Sequence, residues 1–199
     1  MLKRILRLPY YFSLLLLIFF FATIFIACYS KSQSFLILNQ FHTPWLDVFF
    51  KVITNLGDGL VSIILGIVLL AFNKKKKAVT LLAAFISSGL VAQVLKRIFQ
   101  MPRPKVFFEQ NSFEYQHFVD GVNLHGSNAF PSGHTASAFA MATVIVLVFK
   151  NKRISIQCIS FAILIGYSRI YLAQHFLADV IFGAVIGNRL CLIELLLGV

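Results

Sequence analysis

Lys96 with Arg103-Pro104, then Pro131-Ser132-Gly133-His134, then Ser168-Arg169 followed by His175 and Asp179 bring three cations, two imidazoles, a carboxylate and a small-residue turn into three short segments far apart in the chain. Cations of these types neutralise and orient the non-bridging oxygens of a phosphate ester, arginine through two oxygens at once and lysine as a point charge. An imidazole can attack phosphorus, or hand a proton to the departing oxygen. The set suits a protein that grips a phosphate ester and breaks it.

Each residue type suggests a role. His175 and Asp179 are four apart and share a face if a helix begins near the histidine. A carboxylate accepting from one ring nitrogen fixes the tautomer and leaves the other nitrogen free to attack, which makes His175 the expected nucleophile. A carboxylate such as Asp179 in an apolar helix is costly and needs such a partner. Ser132 and Gly133, at the start of a helix, offer backbone N–H groups to an anion, and His134 then stands where it can protonate the leaving alkoxide. Lys96, Arg103 and Arg169 would hold the phosphate oxygens, most tightly in the transition state. Arg97 reads as a snorkelling cation at a helix end, and Ser168 as either a phosphate donor or a helix cap.

Written as patterns, the segments are KxxxxxxRP, PSGH and SRxxxxxHxxxD. In this order, with every signature position filled, the chain resembles the type 2 phosphatidic acid phosphatase superfamily, which also includes bacterial acid phosphatases and vanadium haloperoxidases. The resemblance implies a phosphohistidine on His175. It also implies a substrate among the lipid phosphates, such as phosphatidic acid, phosphatidylglycerophosphate, undecaprenyl pyrophosphate or the phosphates of lipid A. Undecaprenyl pyrophosphate and lipid A lead in a bacterial envelope setting.

The positioning elements must be membrane helices. Hydrophobic residues make up 59% of the 199 residues, charged residues 13%, and mean hydropathy is +0.84, too apolar for an ordinary soluble domain. Uncharged stretches run over Leu8–Ser30, Gly59–Asn73, Ala78–Leu95, Thr135–Phe149 and Ile154–Ser168, with a sixth apolar segment from about Phe176 to Ile193. A crossing takes roughly 20 residues. The three shorter stretches reach that length only if helix continues past a charged residue at one end, through Asp58, His134 or the basic turns.

Charge supports six crossings from a cytoplasmic N-terminus. The inner side then receives eleven cations, Lys3, Arg4, Arg7, Lys74 to Lys77, Lys150, Lys152, Arg153 and Arg189, against the single acid Glu194, as the positive-inside rule expects. All five histidines fall on the other side with Lys96, Arg103, Arg169 and Asp179. The basic pI of about 9.9 is thereby explained by membrane topology, and nucleic acid is excluded as a partner; the lysines at 74 to 77 would meet anionic headgroups.

The expectation is therefore an all-α, integral membrane six-helix bundle, a single domain over residues 1–199, with its active site at the outer face of a bacterial inner membrane and both termini cytoplasmic. Trp45, Phe49, Val52, Ile53 and Leu56 fall on one helical stripe away from Asp47, Lys51 and Asn55, which suggests a short interfacial helix broken from the next by Gly57-Asp58-Gly59. The polar segment from Lys105 to Phe130, after helix-stopping Pro102 and Pro104, is expected to fold over the outer mouth. Phe25-Ile26-Ala27-Cys28 fits a lipoprotein cleavage site poorly, so the first helix is expected to stay uncleaved. Cys28, Cys158 and Cys191 lack metal-ligand spacing and read as buried free thiols. No carboxylate cluster suits Mg²⁺, so no metal or cofactor is expected. Two other classes fit the same scaffold: a non-catalytic lipid-binding or transport protein, which could dispense with His175 and Asp179, and a vanadate-dependent haloperoxidase, whose relatives are typically soluble.

Overall fold

The computed structural model describes residues 9–197 apart from 114 and 116, so the expected cytoplasmic cations Lys3, Arg4 and Arg7 lie outside the described residues, as do Glu114 and the Glu194 side chain. Among the described residues every regular element is a helix: α1 Pro9–Cys28, α2 Lys31–Leu38, α3 Pro44–Asn55, α4 Gly59–Ala71, α5 Lys75–Phe99, α6 Pro104–Gln110, α7 Gly133–Phe149, α8 Lys152–Tyr171 and α9 Leu177–Leu197. Helix starts are written locally. Thr43, Asp58, Ser132 and Asn151 each accept a backbone N–H at the head of α3, α4, α7 and α8. Proline stands in the first turn of α3 and α6, where its missing N–H costs nothing.

Among the described residues three helical stretches, Tyr10–Cys28, Lys75–Gln110 and Lys152–Tyr171, are long and apolar enough to cross a membrane, and α3 with α4 makes a fourth that is bent by 51°. The break falls at Gly57-Asp58. The break is the one that Gly57-Asp58-Gly59 suggested: the Asp58 carboxylate caps Leu60 N–H, so α4 starts after Asp58 and gains no length through it. Alone, the 13 residues of α4 extend only about 20 Å against a hydrocarbon core of about 30 Å. The other extensions occur: α7 runs through His134, and α8 takes in both Arg153 and Arg169.

On α3, Trp45 and Val52 are 68% and 59% exposed, while the face pressed on α8 carries Phe50 and Thr54. Asp47 turns inward with that face and accepts from the Tyr171 hydroxyl. The segment after Pro104 is not all irregular, since it begins with α6. The remainder is pinned by Arg103 N–H to Gly126 O, Ala129 N–H to Met101 O and Gln174 Nε2 to Asn123 O. Cys28 is exposed and Cys158 half-buried, so only Cys191 meets the expectation of a buried thiol.

The centre of the bundle is α7, packed against α5, α8 and α9. Its alanines at 136, 138, 140 and 142 are buried and let neighbours close in. A Cβ on Gly183 or Gly187 of α9 would overlap the carbonyls of Ser132 and Ala136 respectively, so the two helices meet main chain to main chain. From the other side, the Tyr11 hydroxyl of α1 joins Thr143 Oγ1 of α7 at 2.9 Å, and Asn188 Nδ2 of α9 donates to Thr143 Oγ1 at 3.1 Å. This buried polar trio ties α1 to α7 and α9 beside the apolar packing of Leu15 in the same cluster.

Candidate active site

The three sequence segments converge at one end of the bundle. The third folds back on itself. After α8, Ala173 adopts a left-handed conformation at φ 51, and Gln174 and His175 both donate their N–H to Arg169 O at 2.9 and 3.0 Å. That turn sets His175 beside Arg169. The second segment is tied to the third through main chain, as Ser132 N–H donates to Asp179 O at 2.9 Å. The first is tied in through Arg103, whose Nη1 donates to Gln174 Oε1 at 2.6 Å and whose Nε donates to Ser127 O at 3.1 Å.

His175 and Asp179 are each 2% exposed. Their Nδ1 and Oδ2 are 3.6 Å apart, beyond hydrogen-bond length. Asp179 Oδ2 instead accepts Phe176 N–H at 2.9 Å and closes the first turn of α9. Burial pulls His175 down to about 4, with Asp179 opposing and Arg169 and Arg103 adding to the fall. The ring is therefore neutral near pH 7 and keeps a lone pair. Burial likewise pushes the Arg103 guanidinium down while Asp179 holds it up; it stays charged.

His134 lies within electrostatic reach of Arg169, Asp58, His175 and Lys96, and Lys96 within reach of Arg103, Arg169 and Asp179. Arg97, one residue on, is exposed. Arg169 is almost fully buried, donates to Thr54 Oγ1 at 2.6 Å, and leaves its Nε without a protein partner. Lys96 and Arg103 also line a cavity of about 300 Å³ together with Gln93, His125 and Ser127.

At the head of α7 the backbone N–H groups without a protein acceptor are not the expected pair. Ser132 spends its N–H on Asp179 O, and its Oγ accepts from Thr135 N–H and Oγ1, so Ser132 builds the turn and offers no backbone donor to an anion. Gly133 and His134 are the residues whose N–H groups find no protein acceptor among the described residues. Beyond its own turn of helix, nothing lies within 4 Å of where a Gly133 side chain would emerge, so there is open space beside that residue. Ser168 Oγ donates to Ile165 O at 2.6 Å, so it belongs to α8 and not to a phosphate.

Sequence spacing missed Thr54, Gln174 and Asp58. The first two hold the arginines, and Asp58 is an electrostatic neighbour of His134 and Arg169. Gln174 stands next to the nucleophile candidate and a glutamine beside a membrane segment could have drawn notice; nothing local marks Thr54, which meets Arg169 across 115 positions.

This arrangement is that of a recognised family. The model of the PAP2 superfamily matches residues 77–197, and the chain belongs to that superfamily. It is 30% identical over 163 residues to a lipid A 4'-phosphatase of Porphyromonas gingivalis, covering 79% of this chain and 68% of that one. It is 29% identical over 147 residues to the undecaprenyl-diphosphatase BcrC of Bacillus subtilis, covering 73% and 72%. Among solved structures, LpxE of Aquifex aeolicus superposes with a TM-score of 0.69 at 35% identity, over 83% of this chain and 94% of that one. A transmembrane PAP2-type phosphatidylglycerolphosphate phosphatase of Bacillus subtilis shares the fold at the same TM-score and 23% identity, with 96% of both chains covered. With its apolar helices, the chain is an integral membrane protein.

Proposed function

We propose that this protein is a membrane lipid phosphatase that works through a phosphohistidine. His175 Nε2 attacks phosphorus as the bond to the leaving oxygen breaks, and His134 gives that oxygen its proton. Water, deprotonated by His134, then attacks the phosphohistidine, returns inorganic phosphate and frees His175. Lys96, Arg103 and Arg169, with the N–H groups of Gly133 and His134, hold the equatorial oxygens as charge builds. Asp179 faces His175 Nδ1 and keeps the ring turned toward the phosphate. Three cations already neutralise the phosphate, so the step needs no metal.

The observation that carries this reading is the convergence of buried Arg103, Arg169, His175 and Asp179 on the open N-terminus of α7. A second feature favours a lipid. An apolar cavity of about 470 Å³ between α4, α7 and α8 is lined by Leu65, Val68, Met141 and Phe161 and extends to Leu56 and Ile165. Ile165 borders Gly57, which abuts His134, so a hydrocarbon tail in that cavity would lead its headgroup toward the site. The relatives' substrates make lipid A phosphates and undecaprenyl pyrophosphate the first to try. The six-crossing topology, with α3 at the interface and the site at the outer face, fits the charge distribution.

The test is phosphate release by purified protein in detergent, with chelator present, from a panel of lipid A phosphate, undecaprenyl pyrophosphate, phosphatidylglycerophosphate and phosphatidic acid. Turnover of at least one lipid is expected, abolished in His175→Ala while substrate binding is kept. Wild-type rates in that variant would overturn the mechanism.

A further inference from the structure

A second constellation lies outside the phosphate site. His42 precedes α3, Asp47 is in its first turn, and His117 comes from the segment after α6. Their ligand atoms all fall within 4.8 Å of one another. His42 Nδ1 and His117 Nε2 are each 3.8 Å from Asp47 Oδ1. The set is half-buried, and none of the three is among the electrostatic neighbours of His134, Lys96 or His175.

The hydrogen bonds leave an unanswered lone pair. His42 Nε2 is 2.9 Å from Asn39 O, and a carbonyl only accepts, so Nε2 carries the proton and Nδ1 presents its lone pair. The His42 side chain is 9% exposed, and its Nδ1 has no hydrogen-bond partner. It points toward a carboxylate oxygen, which also offers only lone pairs. A lone pair facing a carboxylate oxygen is stabilised when a cation sits between them, and His117 Nε2, equally near that oxygen, can supply a further lone pair. The outer contacts fit as well: a metal-bound histidine commonly donates its second N–H to a backbone carbonyl, as His42 does to Asn39, and the Asp47 carboxylate is steadied by the Tyr171 hydroxyl at 2.5 Å.

We propose that His42, Asp47 and His117 form a binding site for a divalent transition-metal ion, zinc foremost. Two imidazoles and a carboxylate are borderline ligands of the kind zinc prefers, with bonds of about 2.0–2.2 Å. Those lengths require ligand atoms about 3.4 Å apart in a tetrahedron; the two histidine–aspartate separations are 3.8 Å and every pair lies within 4.8 Å, so side-chain adjustment of about an ångström or less closes the set. His117, whose side chain is 45% exposed, leaves the fourth position to water. The ion would clamp the segment after α6 onto α3 at the rim of the bundle. Nothing in the sequence marks the site, because its third ligand stands 70 positions beyond the second. The expectation of a metal-free chain rested on the lack of a carboxylate cluster suited to Mg²⁺, and the proposal is independent of the hydrolytic reading.

The test is a Zn²⁺ titration by calorimetry of chelator-stripped, purified full-length protein, with Co²⁺ uptake followed by its visible absorption. One equivalent per chain is expected, with affinity falling about tenfold or more in His117→Ala and Asp47→Asn and unchanged in His175→Ala. No uptake by the wild type overturns the proposal, as does unaltered binding in His117→Ala, whose half-exposed ring can be removed without disturbing the core. Uptake lost in His175→Ala would place the ion in the phosphate site and equally refute it.

Discussion

Thr54 lies on α3, outside every signature segment, yet it is the hydrogen-bond acceptor for Arg169 Nη1 at 2.6 Å. Thr54→Val keeps the volume of this 8% exposed side chain and removes only the acceptor. A hydrogen bond with a charged partner contributes about 1.5–3 kcal/mol. The Arg169 Nε already lacks a protein partner, so little else fixes the plane of the guanidinium. If that geometry is needed in the transition state, the loss converts at 1.36 kcal/mol per factor of ten to a fall of about 10- to 150-fold in kcat/KM. The assay is initial-rate phosphate release across a range of lipid phosphate concentrations in detergent, beside thermal unfolding of the same samples. Thr54→Ser retains the oxygen and should stay within a few-fold of wild type. Wild-type kcat/KM in Thr54→Val, or equal losses in the valine and serine variants, would refute the reasoning.

His134→Ala should cost far more on a lipid phosphate than on an activated aryl phosphate, whose leaving oxygen needs no proton; matched losses would mean that His134 binds phosphate only. Because burial holds His175 at about 4, its attacking neutral form persists through mildly acidic pH, and single-turnover rates should fall only as pH drops through about 4. Asp179→Asn removes the carboxylate that opposes this shift and should move that limb lower still, whereas a limb near the usual histidine range in the wild type would contradict the assignment. Gly183→Ala pushes a methyl into Ser132 O, an overpacking of about 1–3 kcal/mol, so unfolding temperature and phosphate release should both drop; an unchanged melting curve would be the contrary outcome. For topology, a cysteine introduced between 105 and 130 in a variant lacking Cys28, Cys158 and Cys191 should react with an impermeant thiol reagent on intact cells, and one at position 75 only after permeabilisation.

Much of the site was legible because its chemistry is written in three compact runs whose internal spacings survive any fold: Lys96 to Pro104, Pro131 to His134, and Ser168 to Asp179. Which atom does what was less legible. Ser132 and Gly133 look alike as donors in a sequence, but the Ser132 N–H is consumed by Asp179 O, and only the packing of α9 on α7 decides that. The supports of the two arginines come from Thr54 and Gln174, one of them remote in sequence, so no local pattern could pair them. The apolar runs announced the helices, while their ends and bends depended on caps. Asp58 is polar enough to be read as a turn or as a residue to be passed through, and its bond to Leu60 N–H settles which. Helix α2 went unread: its reciprocal capping box of Ser30 and Gln33 is a short signal between two longer apolar elements.

The trio of Tyr11, Thr143 and Asn188 has a bearing on biogenesis. Tyr11 belongs to the first described helix to leave the ribosome, but the oxygen it meets is synthesised 132 positions later and the amide 177 positions later. Until α7 and α9 enter the bilayer, its hydroxyl is a polar group in hydrocarbon without its final partners, a state that costs on the order of 1–3 kcal/mol. The polar contacts that seat the earliest helix can therefore be completed only after the last one has been made.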